Sequence, residues 1–271
     1  MQQFPVSPWW VPGSLWTHRS LIWQMTRREV MGRYRGSLMG LLWSLFHPIL
    51  MLAVYTFVFS VVFRARWGES SSTTDFATMV FVGMIVHSFF SESVSKAPAL
   101  ILGNPNFVKK VVFPLEVMPW TTLGVALFHA GISTVVLLAF SFMVHGNLPW
   151  TAILFPLVLL PLALTTMGTC WFLASLGVYL RDVSQIIGIV TTVLLFVSPV
   201  FYPVTALPAE FAFWFQINPL TLPIEDARKV LLLGRLPEWA SWATSLGAGL
   251  LASWIGLWWF QKTRRGFADV L

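Results

Sequence analysis

Cysteine is almost absent. Cys170 stands alone among 271 residues, so neither a disulfide nor a multi-cysteine metal site can form within the chain. Charge is scarce as well: 10% of residues are charged, against about 25% in an ordinary soluble domain. The signatures of common enzymes are lacking, with no HExxH, CxxC or GxSxG anywhere. None of the five lysines follows a glycine, which excludes the phosphate-cradling P-loop and with it ATP binding of that kind. The histidines (His18, His47, His87, His129 and His145) are scattered over separate segments. Hydrophobic residues make up 56% of the chain, with 15 tryptophans, 23 phenylalanines and a mean hydropathy of +0.74. Such a composition specifies a polytopic membrane protein, a single domain over residues 1–271, with tryptophans suited to interfacial belts. The net charge of +6 has no soluble basic domain to carry it, so nucleic acid is not an expected partner.

Crossing the hydrocarbon layer as a helix takes about 20 apolar residues. Runs of that kind occupy residues 38–63, 76–97, 115–144, 151–180 and 240–260, and a shorter sixth, 186–202, runs into Pro203. The expected fold is therefore all-α with six transmembrane helices, since backbone in lipid must satisfy its own hydrogen bonds. Placing the N-terminus inside puts Arg19, Arg27, Arg28, Arg33, Arg35, Lys96, Lys109, Lys110, Arg181, Lys262, Arg264 and Arg265 on the cytoplasmic side. Only Arg64, Arg66, Arg228, Lys229 and Arg235 fall outside, which fits the positive-inside rule and puts both termini in the cytoplasm. The opening "MQQFPVSPWWVPGS" lacks a positive leader, so a cleavable signal peptide is not expected.

Two segments do not fit simple spans. Residues 14–36 predict an amphipathic helix at the membrane surface, with Ser14 as its cap and Leu15, Ile22 and Met25 on its apolar face. Residues 203–237 are strongly apolar yet broken by Pro208, Pro219 and Pro223. They predict a pair of short helices re-entering from the outer face, since irregular backbone at membrane depth is tolerated where protein buries it. A loop lying flat on the membrane is the simpler alternative.

Glu92 precedes Lys96 by four residues, the favourable order for a helical ion pair, and an acid near membrane depth is also a candidate for gating. His47 and His129 are expected at membrane depth, where polar groups face a bundle interior. Aromatic residues recur on the spans: Trp43, Phe46, Tyr55 and Phe59 on the first, Phe89 and Phe90 on the second, Phe196, Phe201 and Tyr202 on the fifth. Each is individually an ordinary packing residue, but as a set they are candidates for walls along which sugar rings could slide.

Between the second and third spans lies "NPNFVKKVVFPLEVMPW", residues 104–120. Asn104 can cap a helix with Pro105 at its first position, and Pro114 limits it to about two turns. Phe107 and Val111 share one face, Lys109 and Lys110 favour the cytoplasmic side, and Glu116 suits the first turn of the next span.

Five pieces in order, "RREVMGRYRGSLMGLLWSLFHPIL", "FVKKVVFPLEVMPW", "GVYLRDVSQI", "SPVFYP" with "NPLTLPIEDARKVLLLG", and the closing "FADVL", resemble the permease subunits of bacterial ABC exporters that move polysaccharides such as O-antigen, capsule or teichoic acid. The sequence departs from that pattern at Leu115, where the family often has a basic residue, and in its opening "SPWWVPGS". The resemblance implies a homodimeric channel in the bacterial inner membrane, with two separate ATP-binding cassette subunits that carry the ATP and magnesium; this chain itself binds no cofactor. Residues 104–112 would be the coupling helix, with Asn104, Phe107, Val108, Lys109, Lys110 and Val111 meeting the ATPase. An undecaprenyl-linked polysaccharide would be the substrate. A related exporter for a drug or lipid is the alternative within transport. A membrane-embedded glycosyl- or acyltransferase would need acids or histidines gathered at one face, which the sequence does not offer.

Overall fold

The computed structural model describes residues 7–63, 73–109, 113–206, 210 and 212–270. Every regular element among them is helical. Two helices precede the first span, α1 (Trp10–Thr17) and α2 (Arg19–Tyr34). Then come α3 (Trp43–Tyr55), continued by a π-helical stretch Thr56–Val62, and α4 (Thr73–Lys96). A short helix α5 (Pro105–Lys109) leads to α6 (Val117–His145) and α7 (Phe155–Tyr179). The remainder is α8 (Val183–Val197), α9 (Ala212–Ile217), α10 (Thr221–Leu231), α11 (Trp239–Thr263) and α12 (Phe267–Val270).

Five helical stretches are long and apolar enough to cross a membrane: Gly40–Val62, Thr74–Ala99, Val117–His145, Trp150–Tyr179 and Trp239–Gly266. The expected sixth span is a helix of 15 residues, α8, about 22 Å long at 1.5 Å per residue and short of the ~30 Å hydrocarbon layer. It stops because Pro199 forces Ser198 out of helical geometry into the extended region.

The most extensive pairing is between α7 and α11. Glycines permit it: a methyl on Gly256 would collide with the Gly168 backbone, and one on Gly168 with the Ala252 carbonyl. Lipid offers helices no hydrophobic reward for associating, so close backbone approach over small residues is the main source of attraction. Helix α4 is buried nearly all round, enclosed by α6, α7, α8 and α10. By contrast α3 and its π-helical continuation leave most of their surface exposed, including Phe46, Ile49, Leu50 and Phe57.

The N-terminal segment differs from its sequence expectation in detail. It is two helices, broken at His18. Ser14 is no cap: it lies inside α1, fully buried, with its Oγ donating to the Val11 carbonyl and accepting from Trp120 Nε1 at 3.1 Å. The buried face of α2 is Ile22, Thr26 and Val30, four residues apart, with Met25 beside it and Leu15 exposed. Thr26 joins that face because it sits against Gly124 of α6, where a bulkier pair would not fit. Trp9, Trp16 and Trp23 face outward, and the Arg19 guanidinium lies 4.6 Å over the Trp16 ring.

Residues 203–237 do form two short helices, α9 and α10. Helix α10 packs on α4 and α7 and has buried most of its residues, Arg228 included.

Candidate functional site

Two regions gather the residues that sequence reading singled out. The first is the loop around α5. Asn104 is at its start, but its side chain turns back, Nδ2 donating to the Leu100 carbonyl at 3.0 Å, while its backbone carbonyl takes the Phe107 N–H. Phe107 is half-buried and stacks on Phe113 with centroids 4.3 Å apart and planes 12° from parallel. Val108 packs beside it on the core, and Lys109 closes the helix. Lys110 and Val111 lie outside the described residues.

The foundation of this loop is an ion pair that no sequence spacing reveals. Glu116 is buried at the start of α6, and its Oε2 meets Arg264 Nη1 at 2.7 Å across 148 residues of chain. Arg264 Nη2 also donates to the Phe113 carbonyl at 2.9 Å, and Trp171 Nε1 donates to the Glu116 carbonyl at 3.2 Å. The end of α11 is held in turn by Tyr179, whose hydroxyl donates to the Thr263 carbonyl. The closing helix α12 packs directly against α5. Leu115, where the resembled family often has a base, is 4% exposed and belongs to the core, which explains its apolar side chain.

The second region lies where α2 ends. Glu92 and Lys96 do pair, at 3.5 Å. Glu92 has closer partners, however: Arg33 of α2, and His129 of α6 at 2.8 Å. The carboxylate accepts from His129 Nδ1, which leaves Nε2 to accept from the Tyr34 hydroxyl at 3.1 Å. Lys96 also reaches Glu29 at 3.3 Å. This network ties α2 to α4 and α6. Sequence reading found Glu92 and Lys96 from their spacing but not Arg33 or Tyr34, which are 59 and 95 residues from their partners.

Below the network a cavity of about 430 Å³ opens between α3, α4 and α6. Of the aromatic candidates, Trp43, Tyr55 and Phe89 line it. Phe46 packs edge-on against Trp43, and Phe90 is buried in the core. Phe59 extends the aromatic run from Tyr55 to Phe201, and Phe201 contacts Phe196 with centroids 5.8 Å apart. Tyr202 is separate from them, edge-on to Phe215, with its hydroxyl on the Phe196 carbonyl. The structure therefore divides the candidates into a cavity group and a cluster towards the opposite end of the first span.

The model of the ABC-2 type transporter family matches residues 20–232, which include α5, Glu116 and the whole of the second region. The chain belongs to the ABC-2 type transporter family. It is similar along nearly its whole length to curated members of the same kind. It is 28% identical over 258 residues to the O-antigen export system permease protein RfbA of Myxococcus xanthus, covering 94% of this chain and 96% of that one. With an O-antigen export system permease protein RfbA of Klebsiella pneumoniae it shares 24% identity over 249 residues, 91% and 93% of the two chains. Membership makes the chain the membrane-embedded transport subunit of an ABC system rather than an enzyme in its own right.

Proposed function

We propose that this ABC-2 transporter chain is the channel-forming permease of a polysaccharide exporter of the O-antigen type. Two copies, together with two ATPase subunits, would move an undecaprenyl-linked glycan outward across the bacterial inner membrane. The observation that carries this reading is similarity over more than nine-tenths of the chain to permeases named for O-antigen export. The lack of a P-loop supports a separate ATPase.

On this reading the cytoplasmic side holds both termini, α5 and α12, in keeping with the distribution of arginine and lysine. The 15-residue α8 completes the sixth crossing with the help of the outer residues 198–206, and α9 with α10 re-enters from the outer face. The exposed sides of α3 and α8 face the second copy and the glycan path. Helix α5 is the docking element for the ATPase. Its stacked Phe107–Phe113 pair and the Glu116–Arg264 bridge give that element a firm seat, so motion imposed on α5 is passed to α6 and α11.

The decisive experiment is co-reconstitution of the purified chain with its cognate ATPase in proteoliposomes. ATP-dependent movement of lipid-linked polysaccharide is the expected result. Transport of small lipids or drugs with no movement of glycan would overturn the reading.

Phe107→Ala tests the docking element. It removes an anchor ring of the type that dominates interfaces, and the expected result is about tenfold weaker ATPase association, equivalent to ~1.4 kcal/mol. Membrane insertion stays unchanged because α5 lies outside every span. Wild-type affinity and export in this variant would exclude α5 as the coupling element.

A further inference from the structure

Three tryptophans near the N-terminus are left outside the helical packing. Trp9, Trp16 and Trp23 follow one another at intervals of about two helical turns and are 83%, 72% and 68% exposed. The last two each have a base beside them. Arg19 lies over the Trp16 ring at 4.6 Å, bridging the break at His18. Arg27 stands one turn after Trp23, exposed on the same flank of α2. The pattern recurs on α11, where Lys262 Nζ lies 4.8 Å over the Trp258 ring. Leu251, Trp254, Ile255 and Trp258 form an exposed line along that helix, and Lys262 ends it. Such a line, closed by an aromatic ring and a base, is a lipid-facing surface that reaches the headgroups, where the ammonium snorkels to phosphate.

The two clusters belong to one rim. Helix α1 packs on α11, and its Ser14 is bonded to Trp120, which sits edge-on against Trp171. Trp171 in turn bonds Glu116, the partner of Arg264, so α1 lies at the end of α11 that carries Lys262. Tyr34, seven residues after Arg27 and so on the same side of α2, reaches His129, twelve residues inside α6. That flank of α2 is therefore turned towards the spans. Only residues 35–39 separate α2 from the apolar stretch that begins at Gly40, which keeps its end within roughly 20 Å of the bilayer.

Charge decides which lipid fits. Among the described residues, Arg19, Arg27 and Lys262 have no carboxylate within ion-pair distance. Glu29, the one acid in residues 1–35, is turned to Lys96, and residues 239–265 contain no acid. A zwitterionic headgroup brings its own cation to the phosphate, whereas an anionic one leaves the phosphate to the protein. Each base at an anionic surface is worth about fivefold in affinity. An acidic protein would answer the bases but not the apolar line that continues from Trp258 along α11.

We infer that α1, α2 and the end of α11 form a binding rim for anionic phospholipid. The tryptophans lie at the boundary of headgroups and acyl chains, and Arg19, Arg27 and Lys262 hold the phosphates. Lipid bound there keeps α2 seated on α4 and α6, where its Arg33 and Tyr34 meet Glu92 and His129. The rim depends on neither the cargo nor the ATPase.

The test uses the full chain in nanodiscs of equimolar phosphatidylcholine and phosphatidylglycerol, doped with a trace of either lipid carrying a diazirine next to the glycerol. Peptide mapping is expected to find at least about fivefold more label from phosphatidylglycerol than from phosphatidylcholine in residues 9–27 and 258–265. The lipid-exposed residues 127–135 should take both labels equally. Arg19→Gln and Arg27→Gln together are expected to abolish the preference in residues 9–27, and Lys262→Gln to abolish it in residues 258–265. All three side chains are exposed, so these variants retain the fold. Arg28→Gln removes another exposed charge, 100° further round α2, and should leave both ratios unchanged. Equal labelling by the two lipids in the wild type would overturn the rim, as would an Arg28→Gln effect equal to that of Arg27→Gln. Protection of residues 9–27 from both lipids by the added cognate ATPase would also overturn it, assigning that face to a protein. If the lipid preference is found while reconstituted glycan export fails, the rim stands and the export reading falls.

Discussion

Replacing Gly256 with leucine is expected to remove nearly all folded protein from the membrane. The reason is the distance between α7 and α11. Even a single methyl at Gly256 would penetrate the Gly168 carbonyl, and the facing position repeats the problem, since a methyl on Gly168 would strike the Ala252 carbonyl and the Ser253 nitrogen. Both obstacles are backbone, which cannot rotate aside as a flexible side chain can. Overpacking in a core that can adjust costs about 1–3 kcal/mol; here the two helices must separate, and the attraction between spans in lipid depends on their approach. Gly131→Leu is the matched control, because nothing lies within 4 Å of a methyl at that position. Size-exclusion profiles of detergent-extracted protein should show a monodisperse peak for Gly131→Leu and aggregate or nothing for Gly256→Leu. Equal peaks would show that α7 and α11 do not pack in this register.

Arg228→Ala is expected to be nearly as severe. The side chain is 2% exposed and works in three directions. Its Nε donates to the Met79 carbonyl at 3.1 Å, Nη2 to the Val200 carbonyl at 2.8 Å, and Nη1 meets Glu225 at 2.7 Å. One guanidinium thus joins α10 to α4 and to the extended segment where α8 has ended at proline. Its removal leaves two buried carbonyls and the partly exposed Glu225 without this donor, and each buried acceptor left unpaired typically costs about 1–3 kcal/mol. Lysine should restore little, since a single ammonium point cannot reproduce the planar fork. The measurement is thermal unfolding in detergent combined with limited proteolysis. Loss of stability with new cleavage in residues 203–237 is expected, and an unchanged melting profile would contradict the clamp.

Both cases bear on how far the sequence could be read. Composition and hydropathy gave the all-helical membrane class and located five spanning helices, because a long apolar run in lipid has one way to satisfy its backbone. The break between two short helices in 203–237 was legible from Pro219, which falls between α9 and α10, whereas Pro223 sits within the first turn of α10. The start of α5 was legible from Pro105. What failed was local detail set by distant neighbours. Ser14 has the side chain of a cap, yet Trp120 recruits it from 106 residues away into the interior of a helix. Glu92 and Lys96 do pair as their spacing indicates, but the closer partners of Glu92, Arg33 and His129, come from α2 and α6 and could not be read from spacing.

The sequence by itself determined that this chain is an integral membrane protein, helical, free of a P-loop, and carrying a basic, proline-bounded element between two spans. These follow from periodicity, composition and spacing, which act over a few residues. Only the tertiary structure decided that Arg264 supports that element, that Arg228 clamps α10 to α4 and to the end of α8, and that Trp43, Tyr55 and Phe89 share a cavity with His47 and His129 while Phe90 does not. The physical reason is that a polar side chain in a low-dielectric interior must find a partner somewhere, and the sequence records the need without recording the distance at which the fold meets it.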